Sequence, residues 1–115
     1  MRESYQKGVP VEWKRIHRLP DYAFFNHAQH VNRGIGCVSC HGQINEMPVV
    51  VHEKPLSMGW CLDCHREPFK NLRPPEEVTN MTWTQPNGED PVEYGKKLAE
   101  KNNLHPPTDC STCHR

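Results

Sequence analysis

Cysteine occurs in this chain only as pairs separated by two residues, and histidine follows each pair directly: Cys37-Val38-Ser39-Cys40-His41, Cys61-Leu62-Asp63-Cys64-His65 and Cys110-Ser111-Thr112-Cys113-His114. These three units use all 6 cysteines. Thiols at this spacing lie about one helical turn apart, so both can reach one flat ring, and the next residue puts an imidazole beneath it. That is the attachment pattern of c-type haem, with two thioethers to the porphyrin and one nitrogen on the iron. Zinc sites also use paired cysteines, but nothing in tetrahedral geometry asks for histidine at the following position. Histidine is 8 of 115 residues, so three such placements by chance have odds of roughly 3 in 10,000. A disulfide within each pair would close too short a loop to stabilise much. The reading is three covalently bound haem c groups on Cys37, Cys40, Cys61, Cys64, Cys110 and Cys113, with His41, His65 and His114 on the irons.

The sixth ligand of each iron decides between electron transfer and chemistry at an open site. Five histidines remain: His17, His27, His30, His52 and His105. His27 and His30 stand out, because three residues apart on a helix they share one face. If both are ligands, two irons lie beside one helical turn. The third ligand is expected to be His17, just before the Leu19-Pro20-Asp21 turn, with Met58, His52 and His105 as alternatives. Phe24 and Phe25 would pack on porphyrin. Met47 and Met81 read as packing residues, and Trp13, Trp60 and Trp83 as haem-packing, interface or plain core aromatics.

The rest of the chain must position these groups with little apolar material. Hydrophobic residues are 35% of the sequence and proline contributes 11 residues; mean hydropathy is −0.86. Such a chain of 115 residues reads as one domain, 1–115, whose haems supply much of the core, and whose apoprotein is expected not to fold. Residues 1–20 are predicted to be extended. Asp21 would cap a helix running to Val31, broken by Gly34 and Gly36. Met47-Pro48-Val49-Val50-Val51 suggests a short strand. Residues 66–89 are predicted to be a proline-rich loop without a core of its own. Asp90-Pro91-Val92-Glu93 is a strong helix start, predicting a helix to about Asn102 that ends before Pro106-Pro107, with Leu98 against Tyr94.

Formal charge is +0, from 14 basic and 14 acidic residues, which leaves no nucleic-acid footprint. The first 33 residues are locally basic (Arg2, Lys7, Lys14, Arg15, Arg18, Arg33), either as a solvated face or as partners for haem propionates. No stretch suits a transmembrane helix or a secretory leader. Covalent haem attachment takes place outside the bacterial cytoplasm. The expectation is therefore a periplasmic or otherwise extracytoplasmic chain, either a mature form or a piece of a longer protein.

The run Phe25-Asn26-His27-Ala28-Gln29-His30 followed by Cys37-x-x-Cys40-His41 resembles the class III multihaem cytochromes c. The resemblance implies a small, mostly α fold with much irregular loop, its haems forming the core. It also implies that His27 pairs with His41 and His30 with His65, and that the remaining ligand lies between the first two haem motifs, where His52 and Met58 occur. Longer strings are similar to the pentahaem cytochrome subunit of alternative complex III, a bacterial membrane quinol:electron-acceptor oxidoreductase: Trp13-Lys14-Arg15-Ile16-His17-Arg18-Leu19-Pro20-Asp21-Tyr22, Leu56-Ser57-Met58-Gly59-Trp60-Cys61 and Cys64-His65-Arg66. In that subunit two further haem motifs and a membrane anchor precede the matched part. His17 is then equally placed to serve one of those haems, and the chain reads as a shortened relative or as the C-terminal trihaem part of a longer protein. The partners implied are an iron–sulfur subunit resembling molybdopterin oxidoreductases and a quinone-binding membrane subunit. Together these readings predict an electron carrier with three six-coordinate haems and no catalytic residues. The alternatives are a multihaem reductase with one open iron, or a haem-based sensor.

Overall fold

The computed structural model describes residues 1–114. Six short α-helices are strung along irregular chain: α1 (Arg2–Lys7), α2 (His27–Val31), α3 (Cys37–His41), α4 (Met58–Arg66), α5 (Pro91–Lys101) and α6 (Cys110–Cys113). Single 3-10 turns occupy Ile44–Glu46, Phe69–Asn71, Pro75–Glu77 and Pro86–Gly88. Among the described residues β pairing is limited to two isolated antiparallel bridges, Ala23 with His114 and Ile35 with Leu72. The fold is small and largely helix and loop.

Three local expectations differ from the structure. The start of the chain is helical, because the Glu3–Lys7 ion pair spans i,i+4 at 2.5 Å and Gly8, at φ 62°, ends the turn in the left-handed region. The histidine helix starts at His27, capped by Asn26, whose side chain accepts from Ala28 N at 2.9 Å. It cannot start at Asp21, because the backbone there is already engaged: Ala23 N donates to Pro20 O and Phe24 N donates to Cys113 O. The stretch Met47–Val51 forms no strand. Pro48 removes a ladder donor, and among the described residues there is no strand for it to pair with.

The proline-rich segment 66–89, read as coreless, supplies most of the buried apolar side chains. Leu72 (2% exposed) and Val78 (5%) come from it, and only Ala99 (8%) of α5 joins them as a buried hydrophobic among the described residues. The joint is built around a glycine. A Cβ on Gly95 would sit 1.9 Å from Phe69 O and 2.5 Å from Phe69 C. The missing side chain therefore lets α5 lie directly on the Phe69–Asn71 turn. As predicted, Asp90 caps α5, its Oδ1 accepting from Val92 N and Glu93 N, both at 3.0 Å. Tyr94 of α5 meets Trp83 with ring centroids 5.8 Å apart.

This small core also carries the first haem motif. Cys37 N donates to Val78 O at 2.9 Å and Arg73 N donates to Gly34 O at 2.9 Å. Gly34 adopts φ +82°, and a Cβ there would meet Arg73 O at 2.3 Å. Arg73 is itself buried (8% exposed); its Nη1 donates to Asn80 O at 2.8 Å and its guanidinium lies 5.1 Å from the Trp83 ring centroid. Elsewhere the polypeptide is open. Its radius of gyration is 16.8 Å, against roughly 13 Å for a compact domain of this length.

Candidate haem centres

Each cysteine pair lies on its own helix. The first motif is α3, and the third is α6 followed directly by His114. The second fills the C-terminal part of α4, which Ser57 caps through its hydroxyl to Trp60 N. The six thiols are unpaired. Burial, then the neighbouring thiols of Cys64, Cys61 and Cys37, pushes the Cys40 thiol up to about 11. Burial likewise raises Cys61, which faces Cys113 and Cys64. Three separate stretches of chain thus bring Cys37, Cys40, Cys61, Cys64 and Cys113 near one another, each partly screened from water, while Cys110 is exposed.

The histidine helix faces two of these motifs. The rings of His27 and His41 are 6.2 Å apart between centroids, with planes only 6° from parallel. The rings of His30 and His65 are 6.0 Å apart at 49°. Two imidazoles on opposite sides of one metal, with nitrogens about 2.0–2.1 Å from it, have ring centres roughly 6.2 Å apart. Both pairs match that spacing. Phe25 holds the helix's two rings in place, lying edge-on to His27 at 4.8 Å and tilted over His30 at 4.5 Å. The donor set therefore fits covalent haem, with thiols for the porphyrin and imidazole pairs for the irons.

A ligating imidazole needs its second nitrogen held, since that bond fixes both tautomer and ring orientation. Carbonyl oxygens do this at three rings: Asn26 O for His30 Nδ1 at 2.9 Å, Pro107 O for His65 Nδ1 at 2.6 Å and Tyr22 O for His114 Nδ1 at 3.2 Å. Each leaves Nε2 for a metal. Asn26 is doubly used, since its side chain starts α2 and its carbonyl orients the second ligand of the same helix. Asn71 Nδ2, on the turn beneath α5, reaches Cys64 Sγ at 3.4 Å. Burial, the largest influence, lowers the affinity of His30 and His41 for protons; nearby histidines push both further the same way, against the opposing Asn26 bond at His30. Ligation requires the neutral ring, so these environments favour the ligating form.

His17 is not where a ligand for the third motif would stand. It lies against His41 instead, Nε2 to Nδ1 at 3.3 Å, with ring centroids 4.4 Å apart and nearly perpendicular. Its other ring neighbour is His52 at 5.2 Å. The cause is the path of the chain: Tyr22–Phe24 is pinned to the third motif by Phe24 N to Cys113 O at 2.7 Å. A stretch of five residues can span roughly 17 Å, which lets His17 stand at the first motif. Among the described residues the ring that meets His114 is Tyr22, at 5.8 Å. Of the other candidates, His105 Nε2 is engaged by Asn103 Oδ1 at 3.0 Å, and Met58 is 61% exposed on the first turn of α4. Trp13 is also exposed, whereas Trp83 lies beneath Arg73. The contact of His17 with His41 could not be read from spacing, because it joins an irregular stretch to a helix 24 residues away.

No described helix is long and apolar enough to cross a membrane. A family model for cytochrome c7 and related cytochrome c matches residues 23–115. The matched stretch includes all three Cys-x-x-Cys-His units with His27 and His30, and it excludes His17. No curated protein matches the chain.

Proposed function

This chain belongs to the family of cytochrome c7 and related cytochromes c, which makes it a multihaem electron-transfer cytochrome with covalently bound haem c, and from that premise we propose that it carries three such haems, at Cys37/Cys40, Cys61/Cys64 and Cys110/Cys113. His41, His65 and His114 are the ligands next to the attachment sites, and His27 and His30 complete the first two irons. The observation that carries this reading is the pair of imidazole spacings, 6.2 and 6.0 Å, on one five-residue helix.

Bound haem supplies an iron that gains and loses one electron. The protein's part is to hold the ligands still. Asn26, Pro107 and Tyr22 fix the imidazoles through Nδ1, Phe25 wedges the two rings of α2, and at the first two motifs His27 with His41 and His30 with His65 would hold a bound iron and keep substrates off it. Because His27 and His30 are i,i+3 on α2, they would hold their two irons near each other, which would suit passage of an electron between them.

Intact-mass measurement and pyridine haemochrome quantitation should give three haems per chain, with low-spin spectra at the first two irons. Fewer haems, or a zinc-loaded chain matured outside the cytoplasm, would overturn the assignment. A rival reading, a reductase or sensor with one open iron, draws on the third motif, where among the described residues the ring that meets His114 is Tyr22 and not a second histidine. Rapid carbon monoxide binding to one reduced iron in three would favour it.

The longer strings around His17, Trp60 and His65 support placing the chain in a respiratory relay outside the cytoplasm, related to the cytochrome subunit of alternative complex III. Its partners would then be an iron–sulfur, molybdopterin-oxidoreductase-like subunit and a quinone-binding membrane subunit. Quinol-dependent reduction of its haems in membranes of the source cell tests this. No reduction by any quinol would remove the chain from that pathway.

A further inference from the structure

The three attachment-site histidines differ in what holds their second nitrogen. His65 and His114 each meet a backbone carbonyl, Pro107 O and Tyr22 O. His41 meets an imidazole, His17 Nε2, at 3.3 Å. If Nε2 of His41 is to bind iron as a neutral ring, its proton must lie on Nδ1. The bond then has one direction: His41 Nδ1–H donates, and His17 Nε2 accepts with its own proton on Nδ1. An imidazole nitrogen is a more basic acceptor than an amide oxygen, so it draws the proton harder and makes His41 the stronger electron donor.

His17 is held for this task. It is half-buried, its carbonyl accepts from Arg15 Nε at 3.3 Å, and His52 flanks its ring at 5.2 Å. It lies outside residues 23–115, so the family match does not account for it.

We propose that His17 is a positioning residue for the first haem: it fixes the tautomer and orientation of His41 and sets the reduction potential of that one iron below the value a carbonyl partner would give. This rests on the three-haem reading above. His17 touches no iron, and its effect passes entirely through His41.

The test uses the mature holoprotein with His17→Leu, which removes the acceptor, and His17→Gln, which restores one as an amide oxygen. Loss of an outer hydrogen-bond partner of a metal ligand typically changes the site by 10–100-fold. At the lower end, tenfold for a one-electron step is about 59 mV. The expected result is three haems in each protein, with one potential of three raised by at least that amount in His17→Leu and only partly restored in His17→Gln, whose amide oxygen stands in for a carbonyl partner. Three haems with unchanged potentials would overturn the inference while leaving the three-haem reading intact; fewer than three haems in the unaltered protein would sink that reading instead. A high-spin iron in both variants would make His17 an axial ligand and likewise overturn the inference. Should His17→Leu fail to mature, the unaltered protein decides. In its reduced, nitrogen-15-histidine-labelled form, one Nδ1–H should show coupling across a hydrogen bond to a second imidazole nitrogen. Absence of that coupling refutes the contact.

Discussion

Two glycines in helices should respond oppositely to the same substitution. Replacing glycine by alanine within a helix stabilises it by up to about 1 kcal/mol through the unfolded chain's lost freedom and better propensity. At Gly59 of α4 nothing lies within 4 Å of the new Cβ, so Gly59→Ala should realise most of that gain. At Gly95 the new methyl would lie 1.9 Å from Phe69 O and 2.7 Å from Phe69 Cα. These are backbone atoms with no rotamer to change, so the turn and α5 must separate by about 1.5 Å to restore ordinary contact. Overpacking costs about 1–3 kcal/mol, and a clash this deep with unyielding backbone stands at the upper end, about 2–3 kcal/mol. Set against the propensity gain, Gly95→Ala should lose about 1–2 kcal/mol net, leaving the two variants roughly 2–3 kcal/mol apart. Guanidinium unfolding of the holoproteins, followed by far-ultraviolet circular dichroism and the Soret band, reads this directly. The midpoints should differ by roughly 0.5–1 M, with Gly59→Ala the higher. The Soret transition should follow the helical one in Gly95→Ala, because the displaced turn carries Asn71 and its contact with Cys64. If Gly95→Ala is as stable as the unaltered protein, or more so, the tight joint between α5 and Phe69–Asn71 is not what organises this half of the molecule.

Three further outcomes are expected. His27→Ala and His30→Ala should each turn one iron of three high-spin and open to carbon monoxide, His27→Ala at the haem of His41 and His30→Ala at that of His65; a variant that leaves every iron low-spin removes that residue from the ligand set. Arg73→Leu deletes the charge-assisted bond to Asn80 O and the cation–π contact with Trp83, a loss of about 2 kcal/mol; an unchanged guanidinium midpoint would contradict this. Hydrogen bonds from Ser111 and Thr112 hold the Asp109 carboxyl below its ordinary value, so its cap on α6 should be fully present above the usual carboxylate range and be lost only as pH falls through that lowered value. Carboxyl chemical shifts across an acid titration check this, and a midpoint at or above that of a free aspartate counts against it.

What the sequence disclosed depended on whether a feature was local. The cysteine units and the adjoining histidines are complete within five residues, so their chemistry was legible before any coordinates. The start of α5 was equally legible, because Asp90 and Pro91 act on their immediate neighbours. The limits of α2 were not, because Asp21 would be a sound cap had its neighbourhood not been drawn into a bridge with the far end of the chain. The segment 66–89 misled for a related reason. Its prolines and charges disguise Leu72 and Val78, and their burial depends on a glycine some 20 residues on in α5. The placement of His17 is a pure tertiary effect. Any of several histidines satisfied the ligand count, and only the path of the chain selects which ring each one meets.

The clasp between Tyr22–Phe24 and Cys113–His114 has a consequence for biosynthesis. It joins residues 92 apart in sequence, so a ribosome delivers the first long before the second. Closing so long a loop is slow, and it comes after the shorter ones. The nascent polypeptide therefore remains an unlatched, threadable string until His114 itself has been made, and only then can the Tyr22 carbonyl take up its post beside that ring.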